Sequence, residues 1–452
     1  MLNYPFQDDR IKVMKKYKIV ILLVFFILNG SARNTHASFC LTLGDALKKV
    51  DSINLQVLMA NARLNQAIAR ISEAQSDLMP HLEGIVSEER QTVDLRSEGI
   101  QFPGVGPHLG PFNAFNARPR VTLALFDPSA FERFQAAKKG ENLSEAELEK
   151  TREDVLALVA TLFIDAQRKE ETVKLIKTLL DRDQMSYQLS QDQYTEGTGT
   201  SLDTNKLKSA LDQTKYLYSQ AVLQAEDARM DLEAALQMPL DEPLLFLEDK
   251  VLQKILEKNT VTNFDHATNA DMVLAASQLE ARKADQKAAY ADFLPKVSGT
   301  ADYGRAGASF DRGSNTYAVG VAVSVPIWEG GAQQAKLKEV KGAIKEAQAN
   351  LLDAAQQQQV NIAKARAAIV ETEYLRQAQA QELQTAQKSL RLAFHAQEIG
   401  SNTVLELMQA KADLAIAEDQ YNQAEASWLM AHIDLLHAQG RLRTLVKKGD
   451  YL

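Results

Sequence analysis

The chain carries one pattern twice. Gly197-Thr198-Gly199-Thr200-Ser201-Leu202-Asp203 returns as Gly400-Ser401-Asn402-Thr403-Val404-Leu405-Glu406, an offset of 203 residues. The offset holds without a gap through Lys208 and Lys411, Leu211 and Leu414, Tyr218 and Tyr421, Asp231 and Asp434, and Ala235 and Ala438. Upstream the spacing shifts. Phe126-Asp127 corresponds to Trp328-Glu329 at 202, and Leu78-Met79-Pro80 to Phe293-Leu294-Pro295 at 215. A repeat on this scale means internal pseudo-symmetry, which constrains the fold more than any local motif. Each copy reads as helix, Leu-Pro stop, two strands, aromatic-acid junction, long helix, Gly-x-x-Thr turn and returning helix. From the proline to the aromatic junction the first copy spans 46 residues and the second 33. The 13 extra residues are expected in Ser97–Asn116, as a long loop over Phe102–Phe115.

The strands show period-two alternation. Tyr317, Val319, Val321, Val323 and Val325 share one face, and Ala318, Gly320, Ala322 and Ser324 the other. Val297, Gly299, Ala301 and Tyr303 alternate with Ser298, Thr300 and Asp302; Val121, Leu123 and Leu125 oppose Arg120, Thr122 and Ala124. One face is apolar and the other small and polar, as in a strand with lipid on one side and water on the other. The alternative is an amphipathic hairpin on a soluble core. Aromatic residues at the strand ends, Phe126 and Trp328 foremost, favour the membrane, because aromatic side chains settle at its interfaces.

Between Pro128 and Glu196 there is no further proline and one glycine, Gly140; 331–399 repeats the case without any proline. Each segment is long enough for a helix of about 100 Å. Alanines along both segments suit close helix packing with a seam on more than one side. The first helical region is expected to open after Thr42, an N-cap with Asp45 three residues on, and to run to Leu78. Thr200 and Thr403 are expected N-caps of the returning helices, and Gly197 and Gly400 the turn residues before them.

At the N-terminus Lys15, Lys16 and Lys18 precede the apolar run Ile19–Leu28, and Thr35-His36-Ala37 suits cleavage after Ala37. This reads as a secretion signal, with Met1 or Met14 as the start; ten apolar residues are too few to span a bilayer. Residues 1–37 hold six bases and two acids, so 45 basic and 57 acidic residues remain, a formal charge of −12. That balance argues against nucleic acid as a partner. Cys40 is the one cysteine, which excludes an intrachain disulfide. It is either inert or a lipid-modified N-terminus, though Phe39 is a poor residue before a lipidated cysteine. No metal cluster, cofactor loop or nucleophile–base pair stands out, so the reading is not an enzyme, with no cofactor and no metal.

Each copy supplies two strands and the chain four, too few to close a membrane barrel. Bare strand edges in lipid would cost several kcal/mol per unpaired backbone group. The chain must therefore share its wall with copies of itself, and three chains would supply twelve strands. With its duplicated plan, its Leu-Pro stops, the run Pro326-Ile327-Trp328-Glu329-Gly330-Gly331 and its two Gly-x-x-Thr-x-Leu-acid turns, the sequence resembles the TolC-like outer membrane efflux proteins of Gram-negative bacteria.

The resemblance covers nearly the whole mature chain. It implies a mainly α fold with membrane β: a homotrimer whose twelve-stranded β-barrel continues into a long periplasmic α-helical barrel. It divides the sequence into a signal peptide (1–37), a first repeat (38–238, strands about 81–96 and 117–126), an inter-repeat equatorial linker (239–262), a second repeat (263–440, strands about 296–305 and 316–326) and a tail (441–452). It implies an exit duct for efflux or type I secretion. The partners are a periplasmic adaptor, an inner-membrane transporter of RND, ABC or MFS type, and outer-membrane lipid. Competing readings are a periplasmic coiled-coil adaptor and a non-conducting envelope protein.

The resemblance also marks residues. Glu406 takes the place of an acid lining the closed periplasmic entrance, with Gln409 where relatives often carry a second acid; the plainer reading is an acid suited to a helix N-terminus. Asp203 has the same two readings, and helix capping is favoured there. Gly197, Thr200, Gly400 and Thr403 would meet the adaptor, while Phe126 and Trp328 would mark the membrane interface.

Overall fold

A computed structural model describes residues 39–97, 99, 103–104, 106–240, 244–247, 269–398 and 404–443. Strand β1 (Phe39–Leu41) leads into α1 (Leu43–Ile53) and α2 (Leu55–Ser76). A hairpin of β2 (His81–Asp94) and β3 (His108–Phe126) feeds the 68-residue α3 (Pro128–Thr195), and α4 (Ser201–Ala235) returns. After β4 (Leu244–Phe246) the plan repeats as α5 (Ala270–Ala291), β5 (Lys296–Gly307), β6 (Ser314–Ser324), the 67-residue α6 (Ala332–Glu398) and α7 (Val404–Ala438).

The ends of these elements follow from their residues. Thr42 caps α1, accepting a hydrogen bond from the Asp45 N–H at 3.1 Å and donating to its carboxylate at 2.7 Å. The expected single helix to Leu78 is broken at Asn54, whose extended backbone (ψ 134°) ends α1 and starts α2. Asn is a poor mid-helix residue and a good cap, so the chain reverts to helix at once. Gly197 takes φ +78° at the turn after α3, a conformation that a Cβ makes costly, and Thr200 caps α4. Gly400 and Thr403 lie outside the described residues.

The four long strands form one antiparallel sheet in the order β2-β3-β5-β6. The two hairpins superpose in register. Leu82 opposite Val121 corresponds to Val297 opposite Val323, and Arg90 opposite Asn113 to Arg305 opposite Asn315, by the offsets 215 and 202 found in the sequence. The extra residues of the first copy are not all loop, as expected over Phe102–Phe115. Gln91 opposite Phe112 matches Ala306 opposite Ser314, and beyond it the first hairpin pairs on to Asp94 opposite His108, so 108–111 are added strand, while 112–116 are strand that both copies share. Backbone groups there find partners in the ladder that a loop would leave to water.

The helices pack side by side in the order α2 with α4, then α3, then α5 with α7, then α6. The main core lies where α1 crosses α3. It joins Leu41, Leu47 and Val50 to Leu156, Val159 and Phe163 of α3, Leu232 of α4, and Trp428, Ile433 and Leu436 of α7. Each large apolar side chain buried there contributes roughly 1.5–3 kcal/mol. Two features of this region were not legible in the sequence. Strands β1 and β4, 205 residues apart, pair in parallel, with Cys40 opposite Leu245. The segment after Gly440 is also not simply a tail, because Leu442 is fully buried in the core and the N–H groups of Leu442 and Arg443 both donate to Glu153 at 3.1 Å.

Candidate functional site

The sheet separates its two faces by strand parity. On one face Val319, Val321, Val323 and Val325 are each more than half exposed, as are Leu82 and Val86 at the other edge. Among the described residues no element covers this apolar surface, and soluble monomers rarely leave such a patch bare. Tyr303 stands opposite Tyr317 on the same face, 60% and 78% exposed, toward the hairpin ends. Phe126 and Trp328, 57% and 78% exposed, stand at the helix end of the strands. From Val325 to Tyr317 the strand rises about 27 Å, near the height of an outer-membrane apolar band. The alternation in sequence marked the valines; the second aromatic row became visible only through the Tyr303–Tyr317 register.

The opposite face is charged across the strands. Glu83, Arg120 and Asp302 stand in one row over β2, β3 and β5. Arg120 lies 3.7 Å from Glu83 and 3.9 Å from Asp302, while Arg118 donates to Asp302 at 2.8 Å. The Arg118 and Asp302 side chains are only 18% and 10% exposed. Gly304 makes room for this crossing: a Cβ there would sit 2.3 Å from the Ala117 carbonyl oxygen and 2.4 Å from Arg118 Cβ. Sequence parity placed Arg120 and Asp302 on the polar faces of their strands, but only the sheet order joins them.

At the far end of the long helices the turn is tightly bonded. The Thr200 hydroxyl donates to the Asp203 carboxylate at 2.7 Å and accepts the Asp203 N–H at 3.2 Å, an N-cap whose hydroxyl is itself held by the acid three residues on. This favours capping as the work of Asp203. Thr204 reaches back to the Ser190 carbonyl at 3.4 Å, which pins α4 against α3. Glu406 lies exposed in the first turn of α7, and Gln409, one turn on, donates to Asp413 at 2.8 Å.

Two asparagines missed in the sequence join helix ends in both copies. Asn54 accepts from the Gln56 N–H at 2.9 Å, capping α2, and donates to the Ala235 carbonyl at the end of α4 at 3.0 Å. Asn269 accepts from Met272 at 3.1 Å, capping α5, and donates to the Ala438 carbonyl of α7 at 2.7 Å. The asparagines differ by 215 and the alanines by 203, the two offsets of the repeat. Each short helix thus stacks end to end on a returning helix. That signal was present, since Ala235 and Ala438 align, but the polar partner lay in another segment.

A cluster of ionic contacts ties the copies together near the core. His437 donates to Asp154 at 3.0 Å, and Lys150 reaches Asp154 at 3.0 Å and Asp271 at 2.7 Å. The bond to Asp154 holds the His437 imidazole above its ordinary range, against desolvation. Burial pushes Asp154 upward, but the bonds from His437 and Lys150 outweigh it and leave the carboxyl below its usual range. Burial raises Glu153 despite its two N–H partners. Among the described residues no group of His, Cys, Asp and Glu is arranged to hold a metal, and no helix is long and apolar enough to cross a membrane.

A family model described as outer membrane efflux protein matches residues 47–237 and 266–441. The chain is similar to the pyoverdine export outer membrane protein OpmQ of Pseudomonas putida, 22% identical over 84% of this chain and 82% of that protein. It is also similar to the alkaline protease secretion protein AprF of Pseudomonas aeruginosa, at 23% identity over 46% of this chain. That match spans less than half of AprF, 45% of its length. Among solved structures, the CmeC outer membrane channel of Campylobacter jejuni shares the fold with a TM-score of 0.72, covering 90% of this chain and 88% of that one at 18% identity. The outer membrane protein VceC of Vibrio cholerae does so at 0.70 and 18% identity, covering 88% of this chain and 96% of that one.

Proposed function

Because the chain belongs to the outer membrane efflux protein family, we propose that it is the outer-membrane exit duct of a tripartite efflux or type I secretion system, built as a homotrimer. The observation that carries this reading is the sheet. One face is bare and apolar, the other bears a row of charges, and both edge strands, β2 and β6, lack a partner among the described residues. Lipid satisfies the first face and water the second, but neither lipid nor a single chain satisfies the edges. Three copies supply twelve strands, enough to close the wall.

The helix row has the same need. Tyr216 and Leu223 on α4 and Val370 and Tyr374 on α6 are exposed on the two outermost helical layers. Neighbouring subunits would cover them and continue the barrel as a helical tube about 100 Å long. The tips at Gly197, Thr200, Gly400 and Thr403 would meet a periplasmic adaptor, and an inner-membrane transporter of RND, ABC or MFS type would supply energy and choose the cargo. OpmQ, named for pyoverdine export, and AprF, named for alkaline protease secretion, fit one kind of duct that serves different cargo. Three copies of Glu406 would ring the entrance, with Gln409 and Asp203 nearby, and favour cations there.

Planar-bilayer recording of the purified protein tests the reading. The expected result is a cation-preferring channel whose preference weakens toward unity in Glu406→Gln. A folded trimer that never conducts would refute a duct, and release from envelopes without detergent would refute a membrane wall.

A further inference from the structure

From the internal duplication we infer the register in which β6 pairs with β2 of a partner subunit: Val323 opposite Val86 of the partner subunit, with Ala322 opposite Ser87 of the partner subunit. The inference rests on the homotrimer proposed above and adds what that reading lacks, the residues that meet. The chain contains one seam between its copies, β3 against β5, with Val121 opposite Ala301 and Arg120 opposite Asp302. The hairpins on either side of that seam are equivalent residue for residue, by 215 on their first strands and 202 on their second. Moving the seam on by one copy turns β3 into β6 and β5 into the partner's β2. Val121 becomes Val323, and Ala301 becomes Val86 of the partner subunit; Arg120 becomes Ala322, and Asp302 becomes Ser87 of the partner subunit.

The faces of the sheet agree with the result. A register wrong by one residue would set apolar-face residues against charged-face residues, because parity flips with each step. In the inferred register Val325, Val323 and Val321 stand opposite Gly84, Val86 and Glu88 of the partner subunit, all on the apolar-face parity of their strands. The seam between subunits also differs from the seam within the chain. Arg118 and Arg120 meet Asp302 inside the chain, but Gly320 and Ala322 replace the arginines between chains, so no Arg–Asp lock spans that seam.

Disulfide trapping tests the register. In a Cys40→Ser background, Ala322→Cys is combined with Ser87→Cys, and separately with Ile85→Cys or Glu89→Cys. Residues directly opposite in antiparallel strands have Cα atoms about 4.5–5.5 Å apart, within disulfide reach, whereas a two-residue slip exceeds it. The expected outcome after oxidation is a covalent trimer in denaturing gels for the Ser87 pair and monomer for the other two. A Val323→Cys and Val86→Cys pair repeats the test if the first pair misfolds. Mass in detergent is measured on the same samples. Trimers that trap through Ile85→Cys or Glu89→Cys, or through none of the pairs, overturn the register and leave the trimer standing. A monomeric mass overturns the trimer and the register with it.

Discussion

Asn54 and Asn269 each hold two helix ends with one carboxamide, the oxygen on the helix that starts and the nitrogen on the one that stops. Losing both bonds should cost about 1–2 kcal/mol per site. Asn54→Ala and Asn269→Ala are therefore expected to lower the thermal midpoint of the helical signal in circular dichroism. Asn54→Asp, which keeps the cap and loses the donor, should fall between wild type and alanine. At His437 the imidazole is held above its ordinary value by Asp154. A raised histidine contributes stability in full below its unfolded pKa of about 6.5, and that stability fades as pH rises through the folded value. Melting followed from about pH 6 to pH 8 should show a decline that His437→Gln flattens. Glu153, raised by burial, acts in the same direction but lower on the scale, from the ordinary glutamate range upward.

The row of charges on the sheet works as an element rather than as separate pairs. Asp302 accepts from Arg118 and lies beside Arg120, so Asp302→Ala leaves two arginines facing each other in a shielded site. The expected cost is about 1–3 kcal/mol, read as earlier loss of heat-resistant sheet structure, and Arg118→Ala in the same chain should recover part of it. Gly304→Ala should be worse than either change, because the clash is with backbone and with the Cβ of Arg118, neither of which can swing aside. These contacts lie between the two repeats, so their loss opens the seam within a chain before it disturbs either hairpin. The helical elements follow the same logic. Neither long helix has much apolar character of its own; α3 is held on both sides, with α4 on one flank and α7 on the other, while α6 packs on α5 and α7. Packing of faces carries most of that stability, since propensity alone is weak.

For the whole molecule, the duplication makes six similar strand pairs out of one chain used three times in the proposed trimer, and the seams need not be alike. Trimers should come apart between subunits before the copies within a subunit separate. Graded heating in detergent followed by gel analysis should show monomers that keep strand signal; monomers already stripped of their sheet would contradict it. Much of this architecture was legible in the residues alone. The repeat, the alternation in Tyr317–Val325, the proline-free helical runs and the caps at Thr42 and Thr200 are properties of short stretches of chain, where covalent geometry and side-chain period decide the outcome. What the tertiary structure alone decided was which distant groups meet. It brought β1 beside β4, Leu442 into the core, Asn269 onto the end of α7, and Arg118 onto Asp302, and it made strand of 108–115, part of the expected Phe102–Phe115 loop. The long-range pairings depend on the order of strands and the stacking of helices, and no local period encodes them, because their energy is realised only when segments far apart in the sequence have already come together.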